Sequence, residues 1–200
     1  MRSRMIVLTA FVVATCICAA AVADDAKPLE GTTVAVLVAQ DFEDSELQSP
    51  MQALQDAGAE VVLVAKREGK EYTGKNDEVT VTSDVRAADV SPEQFDGVVV
   101  PGGKAPAELR RDPHMTGLVR KMALAGKPVA AICHGPQVLV TARVLDGRKA
   151  TCYSGVADEL EEVGADYRDR AVVVDDNIIT SRVPRDLPEF NAALIRALGK

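Results

Sequence analysis

The chain has 200 residues, with 23 basic and 30 acidic side chains and a formal charge of −7. That balance, with no basic run interleaved with aromatics, argues against a nucleic-acid partner. Only 4% of residues are aromatic and none is Trp, which argues against a carbohydrate-stacking surface.

The N-terminus reads as an export signal. Arg2 and Arg4 give a basic start, residues 6 to 23 are almost wholly apolar, and Ala21-Val22-Ala23 offers small residues for cleavage before Asp24. The same stretch could just span a bilayer, so retention as an anchor is the competing reading. Cleavage is expected, leaving residues 24–200 as one domain in an exported, periplasmic or secreted protein with no stable membrane insertion. Removing Arg2 and Arg4 leaves 21 basic against 30 acidic residues, and Cys16 and Cys18 depart with the same segment. Cys133 and Cys152 remain. Whether they pair in an oxidising compartment is left open by sequence, because a bridge needs facing side chains.

Beyond residue 32 the chain alternates short β-rich runs with helical patterns. Strands are predicted over 33–39, 60–65, 97–100, 128–132, 149–153, 171–175 and 178–181. Helices are predicted over 45–57, 112–125, 135–143, 154–164 and 188–198. Residues 71–84 are polar and Thr/Asp-rich, suited to small antiparallel strands. Asp112-Pro113 reads as an N-cap with proline at the first helical position, and Asp176-Asn177 as a tight turn. Near-continuous apolar strands between amphipathic helices predict an α/β sandwich, a mostly parallel sheet with helices on both faces. In such sheets sites form at the carboxyl ends of strands, so residues 40–46, 101–106 and 133–136 are expected to converge.

The densest chemistry lies in Val129-Ala130-Ala131-Ile132-Cys133-His134-Gly135-Pro136. An apolar strand that ends at Cys-His and reopens at Gly-Pro reads as a nucleophile elbow. Only two histidines exist, His114 and His134, and none follows residue 134. A glutaminase with a late His partner is thereby excluded, and His134 is badly placed for an in-line triad because it adjoins the thiol in sequence. The acidic run Gln40-Asp41-Phe42-Glu43-Asp44 follows the first strand. Its carboxyls serve either to move a proton at the Cys or to complement the dipole of the helix that begins there. Pro101-Gly102-Gly103 is a turn by default, and beside a strand-end Cys it is also a candidate for donating a backbone N–H to an oxyanion. No clustered His/Cys ligand set and no phosphate loop occurs, so neither metal nor cofactor is expected.

These segments, together with Gly147-Arg148-Lys149-Ala150-Thr151 and the tail from Val172 to Pro184, resemble the PfpI family, the protease-like branch of the superfamily that includes the parkinsonism-associated deglycase. The resemblance spans essentially all of residues 24–200. It implies a flavodoxin-like sandwich of the class I glutamine amidotransferase type, with Cys133 as nucleophile, His134 beside it and Glu43 as the carboxyl against the thiol. It further implies an oxyanion hole from the N–H groups of Gly103 and His134, and a pocket that includes Gly102 and Tyr153. The expected activity is cysteine-dependent chemistry on small reactive carbonyls, of glyoxalase or deglycase type and protective under stress. A homo-oligomeric cysteine peptidase and a non-enzymatic redox sensor or chaperone are the alternatives. Peptidase members carry a Glu after the Arg-Ala-Pro stretch; here Lys104-Ala105-Pro106 is followed by Ala107, and the nearest acid is Glu108. The export signal also departs from a family that is mostly cytoplasmic.

Overall fold

The computed structural model describes residues 27–200, so the expected signal segment lies outside the described residues. The strands are β1 (Thr33–Leu37), β2 (Glu60–Ala65), β3 (Glu71–Thr73), β4 (Thr80–Thr82), β5 (Val85–Arg86), β6 (Gly97–Val100), β7 (Val129–Ile132), β8 (Lys149–Ala150), β9 (Asp166–Tyr167), β10 (Val172–Asp175) and β11 (Ile178–Ser181). The helices are α1 (Asp44–Asp56), α2 (Ala105–Leu109), α3 (Pro113–Leu124), α4 (Pro136–Ala142), α5 (Ala157–Glu162) and α6 (Leu187–Leu198).

Seven strands form one sheet in the order β10-β11-β7-β6-β1-β2-β5. All neighbours are parallel except β10 against β11, which meet through the turn at Asp176-Asn177. Strands β6 and β7 carry no polar side chain because both faces are covered. Every residue of β6, β7 and β11 is buried, as are the last four of β1. Burying each such Val, Leu or Ile contributes about 1.5–3 kcal/mol, which makes these strands the centre of stability. Helices α1 and α6 pack together on one face, and α2, α3, α4 and α5 form the other layer. The apolar stripe of α1 that faces inward includes Leu47, Pro50 and Leu54. That of α6 includes Phe190 and Leu194. Among the described residues no helix is long and apolar enough to cross a membrane.

Three expectations are corrected. The run 149–153 is a strand only at Lys149–Ala150, and it pairs with β9 in a separate two-stranded sheet rather than joining the main one. The reason is local: the Tyr153 N–H donates to the Cys133 carbonyl at 2.9 Å, so the chain bends over the end of β7. The helix expected over 154–164 is a 3-10 turn at Ser154–Val156 followed by α5. The short helix α2 was not anticipated, since five residues are too few for a periodicity to register.

The small β3–β4 hairpin is tied to the start of α1 by one carboxylate. Asp44, only 2% exposed, accepts backbone N–H bonds from Asn76 (3.0 Å), Glu78 (3.1 Å) and Val79 (2.9 Å). Burial alone raises its pKa, but these donors outweigh it and hold the carboxyl below its ordinary value. Asp44→Ala strands three backbone donors, so a loss of about 2–4 kcal/mol is expected in urea unfolding. The sign with pH is fixed by the same bonds. A depressed carboxyl contributes stability above its unfolded pKa and loses it as pH falls through the folded value, so the wild type and Asp44→Ala converge in stability toward acid.

Candidate functional site

The carboxyl ends of β1, β6 and β7 meet as expected. Phe42 and Gly103 form an antiparallel bridge, the Lys104 N–H donates to the Asp41 carbonyl at 2.8 Å, and the Glu43 N–H donates to the Gly102 carbonyl at 3.2 Å. At the end of β7 the backbone of Cys133 has φ +61°, a left-handed conformation that a side chain occupies only under constraint. The constraint is visible in three bonds: Cys133 N–H to the Ser181 carbonyl (3.0 Å), Gly135 N–H to the Ile132 carbonyl (2.8 Å), and Tyr153 N–H to Cys133. Pro136 then starts α4. The elbow is real, and it turns the thiol toward the β6 loop.

Two glycines of that loop are dictated by contact. A Cβ on Gly102 would stand 2.4 Å from a Glu46 carboxyl oxygen and 2.6 Å from the Cys133 Cβ. Gly103 has φ +75°, and a Cβ there would meet the backbone of Asp41 to Glu43. With no side chains in the way, the backbone N–H groups of Gly103 and His134 favour the thiolate form of Cys133. The Gly102 N–H is committed elsewhere, to Glu46 Oε2 at 3.0 Å.

The carboxyl against the thiol is Glu46, not Glu43. Glu46 is fully buried in the first turn of α1, its Oε1 has no hydrogen-bond partner, and its carboxyl and the Cys133 Cβ flank the same point at Gly102. Glu43 is the N-cap residue of α1, and its largely buried side chain is turned to an ion pair with Lys75 and a 3.5 Å contact with Asn76 Nδ2. The physical reason is the helix phase. The cap position lies outside the helical path, while position 46 shares the buried stripe with Leu47, Pro50 and Leu54. The sequence carries a signal for this: in a helix over 45–57, Glu46 shares a face with Pro50 and Leu54 at i, i+4, i+8 spacing.

Burial, reinforced by the charge of Glu43, pushes the Glu46 carboxyl up to about 8. Burial and the neighbouring Glu46 push the Cys133 thiol up to about 12, while the Gly103 and His134 amides pull it down. The two groups titrate as a pair that resists a second negative charge. His134 Nδ1 lies 3.2 Å from Cys133 Sγ, and its ring stacks on Tyr153 with centroids 4.9 Å apart at 27°. Tyr153 is 41% exposed, so the stack forms the rim of the site. Desolvation lowers the pKa of His134, Lys75 lowers it further, and Glu159 opposes them. The structure therefore brings together Cys133, His134, Gly102, Gly103 and Tyr153, exchanges Glu43 for Glu46, and adds Lys75 from the β3–β4 turn. Cys133 and Cys152 are both free thiols, and Cys152 is buried. Among the described residues no group of three or more His, Cys, Asp or Glu side chains is placed to hold a metal ion.

The family model described as DJ-1/PfpI matches residues 32–197. The chain belongs to the DJ-1/PfpI family. It is 44% identical over 167 residues to Protein/nucleic acid deglycase 2 of Escherichia coli (strain K12), covering 83% of this chain and 97% of that one. It is 42% identical over 162 residues to Deglycase PfpI of Pyrococcus furiosus, covering 81% and 96%. Among solved structures, a two-domain protein from Anabaena variabilis with DJ-1/ThiJ/PfpI-like and ferritin-like domains superposes with a TM-score of 0.83 at 41% identity. That match covers 84% of this chain and 48% of the Anabaena protein, so the chain spans about half of it. Membership in the DJ-1/PfpI family and the mostly parallel flavodoxin-like sheet agree with one another. Ala107 and Glu108, where a peptidase member's acid was sought, are both exposed on α2.

Proposed function

We propose that this DJ-1/PfpI protein is a cysteine-dependent enzyme that acts on small reactive carbonyls, such as methylglyoxal, or on their adducts with amines. One observation carries the reading: a thiol held at φ +61° on a strand end, with His134 Nδ1 3.2 Å from its sulfur and the fully buried Glu46 carboxyl beside it at the Gly102 loop. Cys133 supplies the nucleophile. Its sulfur pair forms a bond to the carbonyl carbon, and the carbonyl π pair moves onto oxygen. The amides of Gly103 and His134, which favour the thiolate form of Cys133, hold the oxygen as charge develops there. Glu46, protonated at rest, gives its proton to that oxygen and takes the thiol proton in exchange, work that suits a carboxyl whose pKa lies near neutrality. His134 orients the sulfur from the other side, and Tyr153 closes the rim over its ring.

The names of the E. coli and Pyrococcus relatives support a deglycase. The excess of acidic side chains favours protein or small-molecule amine adducts over nucleic-acid ones. With Ala107 in place of an acid, peptide hydrolysis is the weaker reading. The deciding assay compares the protein with its Cys133→Ala variant on methylglyoxal, a glycated amine and casein. Turnover of the first two, lost in the variant, supports the proposal; Cys133-dependent cleavage of casein alone overturns it.

The N-terminal segment adds a proposal about place, that the protein is exported and cleaved before Asp24. Mass spectrometry of the protein recovered from its native cells is expected to find Asp24 as the first residue. An intact N-terminus would sink this.

A further inference from the structure

Three elements that begin at site loops are joined by one carboxylate. Helix α2 follows the Gly102-Gly103 loop, α4 follows the Cys133-His134 elbow, and α5 follows the turn that carries Tyr153. Glu159 on α5 accepts hydrogen bonds from Arg110 Nη1, at the end of α2, at 2.7 Å and from Gln137 Nε2, on α4, at 2.5 Å. Arg110 is itself fixed, donating from Nε to Thr141 Oγ1 at 2.9 Å. Gln137 lies three residues after His134 and donates its backbone N–H to the His134 carbonyl at 3.0 Å. Tyr153, whose ring stacks on His134, accepts the N–H of Val156, the N-cap residue of α5, at its carbonyl at 3.0 Å. A carboxylate with its two oxygens so committed cannot swing, and Gln137 links it to the first turn after His134.

We infer that Glu159 is a positioning residue for His134: its fixed negative charge favours the imidazolium form, and its partner Arg110 limits how strongly. The groups that face His134 are few. The Cys133 thiol lies at Nδ1, with Glu46 of α1 behind it; Lys75, paired with Glu43, lies toward the β3–β4 turn; Tyr153 covers one ring face; and Glu159 with Arg110 lies toward α5. Lys75 and Glu159 thus place opposite charges around one desolvated imidazole, and together with that desolvation they set which form of His134 faces the thiol. The clamp is half exposed, so its influence weakens as salt is added. The inference deepens the cysteine-enzyme proposal, and its decisive readout is independent of turnover.

That readout is the NMR titration of His134 at low salt, made simple because the chain holds only one other histidine, His114. Glu159→Gln is expected to shift the His134 titration to lower pH, and Arg110→Gln to shift it to higher pH, since removing the cation leaves the carboxylate uncompensated. Glu159→Asp, which keeps the charge, is expected to restore the wild-type direction. A merely structural clamp predicts something else: both neutralising variants loosen the same stack and move His134 the same way. Shifts of equal sign, or no shift in either, overturn the inference. Should Glu159→Gln fail to fold, Arg110→Gln and Arg110→Lys decide together: a rise in Arg110→Gln that is absent in Arg110→Lys, which keeps the cation but not the guanidinium fork, supports the electrostatic role, and an equal rise in both, as exposure of the ring would give, overturns it. In turnover, Glu159→Gln is expected to lower kcat by roughly tenfold with KM little changed, less than loss of the acid–base group itself. If turnover is absent in the wild type while the opposite NMR shifts hold, the enzyme reading fails and the positioning of His134 stands.

Discussion

Cys133→Ala is expected to remove turnover of methylglyoxal and of glycated amines by about a thousandfold or more, leaving the fold intact. The size follows from what the thiol does in the proposed chemistry. Without sulfur no covalent bond forms to the carbonyl carbon, and the Gly103 and His134 amides are left to polarise a carbonyl that nothing attacks. The fold is spared because the left-handed backbone at residue 133 is held by main-chain bonds to Ser181, Ile132 and Tyr153, none of which uses the side chain. Stability within about 1 kcal/mol of wild type in urea unfolding, together with lost turnover, separates chemistry from structure. Residual activity near the wild-type rate would place the reaction elsewhere, and a redox or chaperone role for the thiol would then have to be taken up in its stead.

The sheet was legible because its strands are buried on both faces. Runs such as Val98–Val100 and Val129–Ile132 have no polar residue to blur them, and Gly or Pro marks their ends. The antiparallel pair β10–β11 announced itself through a two-residue turn, and α3 through its Asp112 cap, whose carboxylate accepts the His114 N–H at 2.9 Å. What failed was direction. Cys152 and Tyr153 look like strand residues, yet the chain there is bound to the end of β7 and serves to seat the Tyr153 ring on His134. Glu43 and Glu46 lie three positions apart in an acidic run. Their opposite fates depend on where the helix starts, a boundary that sequence places only to within a residue or two. The long-range members, Lys75, Arg110 and Glu159, carry no local mark at all. They become visible only when the β3–β4 hairpin and α2 are folded against the elbow.

Glu46→Gln is the substitution that tests the exchange of carboxyls, and its two effects have different signs. Gln keeps the shape and an oxygen to accept the Gly102 N–H, but carries no proton to exchange with the thiol. Turnover is therefore expected to fall by roughly a hundredfold or more, the scale of a lost acid–base group, whereas Glu43→Gln leaves most of it. Stability moves the other way as pH rises. With a pKa raised from 4.5 to about 8, Glu46 is protonated in the folded chain where the unfolded chain has already released the proton. Its contribution is fully present below about 4.5 and is lost as pH climbs through about 8, so wild-type stability declines across that window. Removing the titration flattens the decline, by an amount of order 2–4 kcal/mol between the ends. The variant should thus be the less active and, at alkaline pH, the more stable protein. Urea unfolding of both proteins at pH 5 and pH 8.5 measures it, and equal slopes would show that Glu46 is ionised in the fold at neutral pH and that its proton is not available to the thiol.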